Sequence, residues 1–219
     1  MYRMKLLDYR PFATLLAVWL ITTGVLGYLT IYKGYTHLYA ENGLMENLQV
    51  FLLCAAFPGF VHTAITTRYP NKTLPWFMAL LVFSFVFREL DVDKFDVPEL
   101  IIFLFAGDGR ALYLAPLLVI LVKLIFNSRH FIRHAHCYAD KASVKFIILA
   151  GFCYVLFSET FDKGYIAVSH SNFWEESFEI AATMLLCAAS FRTLTADLNR
   201  ISEQIENEQC GSNNDNAPT

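Results

Sequence analysis

Trp76-Phe77-Met78-Ala79-Leu80-Leu81-Val82-Phe83-Ser84-Phe85-Val86-Phe87 runs without a break into Arg88-Glu89-Leu90-Asp91-Val92-Asp93-Lys94-Phe95-Asp96. The first twelve residues suit only a membrane helix or a deeply buried one. The charges that follow therefore sit where a helix is leaving hydrocarbon. Ionised groups at that depth are costly and mark a functional site by default.

The rest of the chain agrees with a membrane setting. Of its 219 residues 56% are apolar and 17% charged, and the mean hydropathy is +0.42. Soluble domains carry nearer a quarter charged residues. The fold class is all-α, a polytopic helical bundle. Six apolar segments, Phe12–Tyr32, Asn47–Thr66, Leu74–Leu90, Ala111–Phe126, Val144–Phe161 and Phe173–Leu194, approach the roughly 20 residues that a span needs. The shorter run Leu100–Ala106, opened by Asp96-Val97-Pro98-Glu99 and closed by Gly107-Asp108-Gly109, is an interfacial or re-entrant helix. Residues 1–195 form the membrane domain and 196–219 a polar, partly disordered cytoplasmic tail. The Phe12–Tyr32 run lacks a small-residue cleavage site, so it reads as a retained anchor. Pro58-Gly59 should kink or loosen the second span, and Pro116 the fourth.

Orientation follows from the basic residues. With six spans the termini share a side, and that side collects Arg3, Lys5, Arg10, Arg68, Lys72, Lys123, Arg129, Arg133, Lys141, Lys145, Arg192 and Arg200. Five of the seventeen Lys and Arg remain for the other side. The expected location is a bacterial inner membrane with both termini in the cytoplasm. No basic stretch interleaved with aromatics offers a nucleic-acid surface; membrane lipids are the expected partners, with a protein partner open.

Carboxylates sort the opposite way, and the insertion rule does not ask for this. At a rise of 1.5 Å per residue, Glu179 lies roughly 10 Å below the outer surface and shares a helix face with Glu175 and Glu176. Glu89 and Glu159 fall inside their spans, Asp162 falls at the rim, and Glu46 opens the second span with Gln49 one turn on. A bundle must turn these groups inward. The expected result is an outward-opening cup lined by Glu46, Gln49, Glu89, Glu159, Asp162, Glu175, Glu176 and Glu179.

Like charges so placed need protons, cationic side chains or a bound cation. A divalent cation would take Glu46, Glu89, Glu159, Asp162, Glu175, Glu176 and Glu179 as its candidate ligands. In an enzyme acting on a lipid or lipid-linked headgroup, Glu89, Glu159 and Glu179 would be catalytic. Arg88, Arg110 and Gln49 would bind the substrate. The plainer alternative is an ion-pair network in which Arg88 neutralises Glu159 or Glu179. A transporter is disfavoured, since the cytoplasmic halves of the helices are nearly all apolar. A non-catalytic subunit or sensor is the third class.

His130, His134 and His136, with Cys137 and Asp140, have ligand types suited to zinc, and His62 could add a further ligand. A basic loop obeying the positive-inside rule is the favoured reading, because histidine spacing alone is a weak signal without three fixed ligands. The five cysteines show no CxxC spacing, and no P-loop, HExxH or dinucleotide fingerprint occurs. The combination Glu41-Asn42-Gly43-x-x-Glu46-Asn47-x-Gln49, Phe87-Arg88-Glu89-Leu90-Asp91 and Glu175-Glu176-x-x-Glu179 resembles a pattern in uncharacterised bacterial six-span inner-membrane proteins. That resemblance implies the topology and no activity.

Overall fold

A computed structural model describes residues 10–40, 42–90, 92–94, 96–105, 108–139, 141–166, 168–193 and 196–205. Arg3, Lys5, Glu41, Asp91, Asp140 and the tail from 206 onward lie outside these residues, as do the side chains of Asp93, Asp108 and Arg192.

The described chain is helical, with no strand. In order come α1 (Arg10–Gly27), continued by a π-turn at Tyr28–Tyr32; α2 (Leu44–Thr66); α3 (Thr73–Glu89); α4 (Glu99–Phe105); and α5 (Ala111–Phe126). Next are α6 (Ser128–Arg133), α7 (Ala135–Ala139) and α8 (Ala142–Phe152), whose π-turn at Cys153–Ser158 leads into α9 (Glu159–Asp162). Last are α10 (Ser171–Ala188), a π-turn at Ala189–Thr193, and α11 (Ala196–Ile205).

Among the described residues three helices are long and apolar enough to cross a membrane: Arg10–Tyr32, Leu44–Thr66 and Ala142–Asp162. A fourth is reached if Ser171–Phe191 and Ala196–Ile205, bent by 61°, count as one span. This is fewer than the six segments of the sequence reading. The helix over Leu74–Leu90 is α3, of 17 residues, and α5 has 16. At 1.5 Å per residue each is about 25 Å long, short of a hydrocarbon core of about 30 Å.

The interior is built where α2 packs along α3 and α10, and α10 along α8. Ala56, Ala79, Ala150, Ala182 and Ala189 are all buried here. Small residues let helices approach where there is no water to drive them together. At the crossing of α2 with the last π-turn, a Cβ on Gly59 would stand 2.9 Å from the Ser190 side chain. α2 continues through Pro58 to Thr66, so Pro58-Gly59 serves this close approach and does not end the helix. A second cluster, Leu26, Met45, Phe173 and Ile180, seals one end between α1, α2 and α10.

Two helices stay peripheral. Leu26 is the buried residue of α1, and α5 buries none. α5 leans on α3 through Tyr113 and Phe83, their ring centres 5.7 Å apart. Phe105 of α4 stacks on Phe87 at 3.9 Å.

The start of the expected tail belongs to the bundle. Leu198 and Ile201 of α11 are fully buried in the main core, and Ile205 nearly so. Asp197 accepts hydrogen bonds from the Ser143 backbone N–H at 3.2 Å and its hydroxyl at 2.7 Å, at the start of α8. Ser202 accepts from Asn71 at 3.0 Å, which in turn accepts from the Tyr138 hydroxyl at 2.5 Å.

Candidate functional site

The carboxylate-bearing end is organised by Arg88 in the last turn of α3. Its Nε and Nη2 reach Glu89 Oε1 at 2.8 and 2.7 Å. Nη2 also donates to both oxygens of Glu179, at 3.1 and 3.3 Å. The Glu89 and Glu179 side chains are 7% and 5% exposed, whereas Arg88 is 49% exposed. Arg88 thus lies as a half-exposed cover over two buried acids.

Aromatic and hydroxyl groups complete this network. Tyr154 stacks on Phe85 at 4.8 Å, and the guanidinium sits 4.9 Å from the Tyr154 ring centre, within cation–π range. The Tyr154 hydroxyl donates to Glu89 Oε1 at 3.0 Å. The Ser158 hydroxyl donates to Glu179 Oε1 at 2.9 Å. Both donors lie in the π-turn Cys153–Ser158. Such turns insert a residue into a helix and are frequent at functional sites. Tyr154 and Ser158 were not among the sequence candidates. The one available signal was that two polar residues four apart end an apolar run.

Gln49 forms a second node. It is fully buried, and its Nε2 donates to Glu176 Oε2 at 2.6 Å. Its Oε1 is shielded from solvent and has no hydrogen-bond partner. The adjacent Ser177 hydroxyl is in the same condition, although the Ser177 carbonyl accepts from the Trp19 indole at 2.8 Å. Among the described residues Glu176 has no cationic partner, and Glu175 makes neither a hydrogen bond nor an ion pair. The charges of Glu46, Glu89, Glu175 and Glu179 all act on the Glu176 carboxylate.

Other candidates have local duties. Glu46 Oε2 accepts from the Asn42 backbone N–H at 2.6 Å, and Asn47 Nδ2 donates to the carbonyls of Asn42 and Gly43. Asn42 is left-handed, with φ 58°. A Cβ on Gly43 would lie 2.5 Å from the Ala40 carbonyl oxygen. The Asn-Gly-x-x-Glu-Asn pattern is therefore the start of α2, where a carboxylate in the first turn reaches back to the preceding backbone. Glu159 pairs with Lys163 at 2.5 Å, both half exposed. Asp162 acts on the Glu175 charge. Arg110 Nε donates to the Phe105 carbonyl at 3.1 Å.

These duties correct the expected metal centre. Among the described residues no three His, Cys, Asp or Glu side chains are grouped to hold a metal ion. Of the proposed ligands Glu46, Glu89, Glu159, Asp162, Glu175, Glu176 and Glu179, no three are grouped closely enough to hold one ion. Glu46 caps a helix, Glu159 faces outward to a lysine, and Glu89 and Glu179 are occupied by Arg88. Of the zinc candidates His130, His134, His136 and Cys137 no three are so grouped among the described residues, and Asp140 lies outside them.

No protein-family model, curated protein or solved structure shows a significant match to this chain.

Proposed function

We propose that the chain is an integral protein of the bacterial inner membrane, crossing it six times with cytoplasmic termini, and that its outward end binds a singly charged cation at Glu176 and Gln49. The proton is the smallest such cation. One observation carries this reading. As placed, the Gln49 amide donates to Glu176 and leaves Oε1 buried without a donor. Turning the amide over would set Oε1 against a carboxylate oxygen, and a proton or cation would then have to lie between two acceptors. Either arrangement leaves a buried acceptor without a donor, a lack that one positive charge would make good. Burial without it is expensive.

The neighbouring network supports the same sign. Among the described residues one guanidinium faces the two buried carboxylates Glu89 and Glu179, one positive charge against two negative. Catalysis on a lipid headgroup loses its proposed metal ligands, and Arg110 is engaged with the Phe105 carbonyl. The second reading, a non-catalytic subunit or sensor, is favoured by the closure of Glu89 and Glu179 onto partners within the chain. The short α3 and α5 cross in a bilayer thinned around them or by lengthening through their flanking turns.

The test is infrared titration of the purified protein. The expected result is a carbonyl band of a protonated carboxylic acid that disappears in Glu176→Gln and weakens when Na+ or Li+ is raised. The reading fails if no band titrates and calorimetry detects no cation, or if both signals survive in Glu176→Gln.

A further inference from the structure

We infer that His130 and His134, at the bundle end opposite the carboxylates, form a two-imidazole site for a d-block dication such as Zn2+, with water completing the coordination. The inference is independent of the cation reading above. The location follows from the chain path: α8 carries Ser158 at the acidic end, and α6 and α7 precede its opposite end, where Tyr138 meets Asn71.

Tautomer control comes first. His134 closes α6, and both its backbone N–H, at 3.2 Å, and its Nδ1, at 2.9 Å, point at the His130 carbonyl. A carbonyl only accepts, so Nδ1 carries the proton and Nε2 keeps its lone pair. Metal-ligating histidines are held in this way, by a backbone carbonyl on the other nitrogen.

His130 supplies the complementary observation. Its Nε2 is shut off from solvent and has no hydrogen-bond partner. A buried polar atom without a partner calls for an unseen one. The two ring centres are 4.8 Å apart with 48° between their planes. Two imidazoles bound through nitrogen to one tetrahedral ion, at about 2 Å each, place their ring centres about 5 Å apart. The spacing suits one shared ion.

The pair differs from the four-ligand centre expected from the sequence. Cys137 Sγ is 3.2 Å from His136 Nε2, so these two engage each other. Imidazole ligands suit zinc, copper, nickel and iron, and not magnesium or calcium.

The full-length protein, purified in detergent and stripped with chelator, would be titrated with Co2+ by absorbance and with Zn2+ by calorimetry. One equivalent should bind. His130→Gln and His134→Gln should each weaken binding by at least about tenfold, while His136→Gln and Glu176→Gln leave it unchanged. Zn2+ should also raise the melting temperature of the wild type and not of the two weakened variants, and circular dichroism confirms that each is folded. Absence of binding in the wild type overturns the inference. So does binding retained in folded His134→Gln, or lost in His136→Gln.

Discussion

Arg88 Nη2 lies 3.1 Å from Glu179 Oε1, joining the end of α3 to the middle of α10 across 91 residues of sequence. The carboxylate is buried and the guanidinium half exposed, so the pair falls between a surface ion pair and a fully buried one. Exposed pairs contribute about 0–1 kcal/mol, whereas breaking a buried one costs about 3–5 kcal/mol. A coupling of about 1–3 kcal/mol is expected between them. A double-mutant cycle with Arg88→Met and Glu179→Gln, read from unfolding in detergent, measures it. Additive single effects would mean that Arg88 is held by Glu89 and Tyr154 alone.

The two hydroxyls of the π-turn should not be equivalent to apolar replacements. Each donates to a carboxylate already bonded to Arg88. Hydrogen bonds to charged groups are worth roughly 1.5–3 kcal/mol. Tyr154→Phe and Ser158→Ala should each destabilise by about 1–2 kcal/mol, somewhat less than that range because Arg88 still compensates the charge. Thermal melts of the two variants provide the check.

α11 should behave as core. Leu198→Ala and Ile201→Ala remove fully buried side chains, and such truncations cost about 2–5 kcal/mol. Asp197→Ala should remove the two hydrogen bonds at the start of α8 and cost about 1–2 kcal/mol, as lost helix caps do. If this helix were a solvated tail, all three substitutions would be silent in a melt.

Close packing of α2 on the last π-turn sets a steric prediction. Gly59→Ala puts a methyl group 2.9 Å from the Ser190 side chain, and overpacking of this kind costs about 1–3 kcal/mol. Ser190→Gly in the same chain should recover much of the loss, which a comparison of the two melts would show.

Acid should weaken the His130 region. The folded protein holds this imidazole below its ordinary range, mainly through burial, so the unfolded chain takes up the proton first. The contribution is present above the unfolded value of about 6.5 and is lost as the pH falls below it. His130→Gln should flatten stability between about pH 7 and 5, measured as melting temperature against pH without added metal.

The helical class was legible in the apolar runs, and the end of α3 in the abrupt arrival of Arg88 and Glu89. A counter-charge for Glu179 could also be argued, because the outer half of the chain offers few cations. Three things were hidden for physical reasons. Glu46 looked like a site carboxylate because its spacing from Gln49 puts both on one face, yet its backbone duty depends on the left-handed Asn42 and the crowded Gly43. Tyr154 and Ser158 were missed because the reading followed charged groups, and a tyrosine and a serine at the end of an apolar run carry no charge. Leu198, Ile201 and Ile205 form a stripe within a polar stretch, so average hydropathy concealed a docking face.

The widened turn at Cys153–Ser158 also fixes what lengths of chain this fold accepts. A helix turns about 100° per residue, so deleting one residue there and restoring regular winding would swing one side of the turn by that angle relative to the other. With α8 held against α10, Ser158 would leave Glu179 and Glu159 would be carried round the bundle with it. Single-residue deletions should therefore be far more damaging at this turn than in the exposed loop around Gly164.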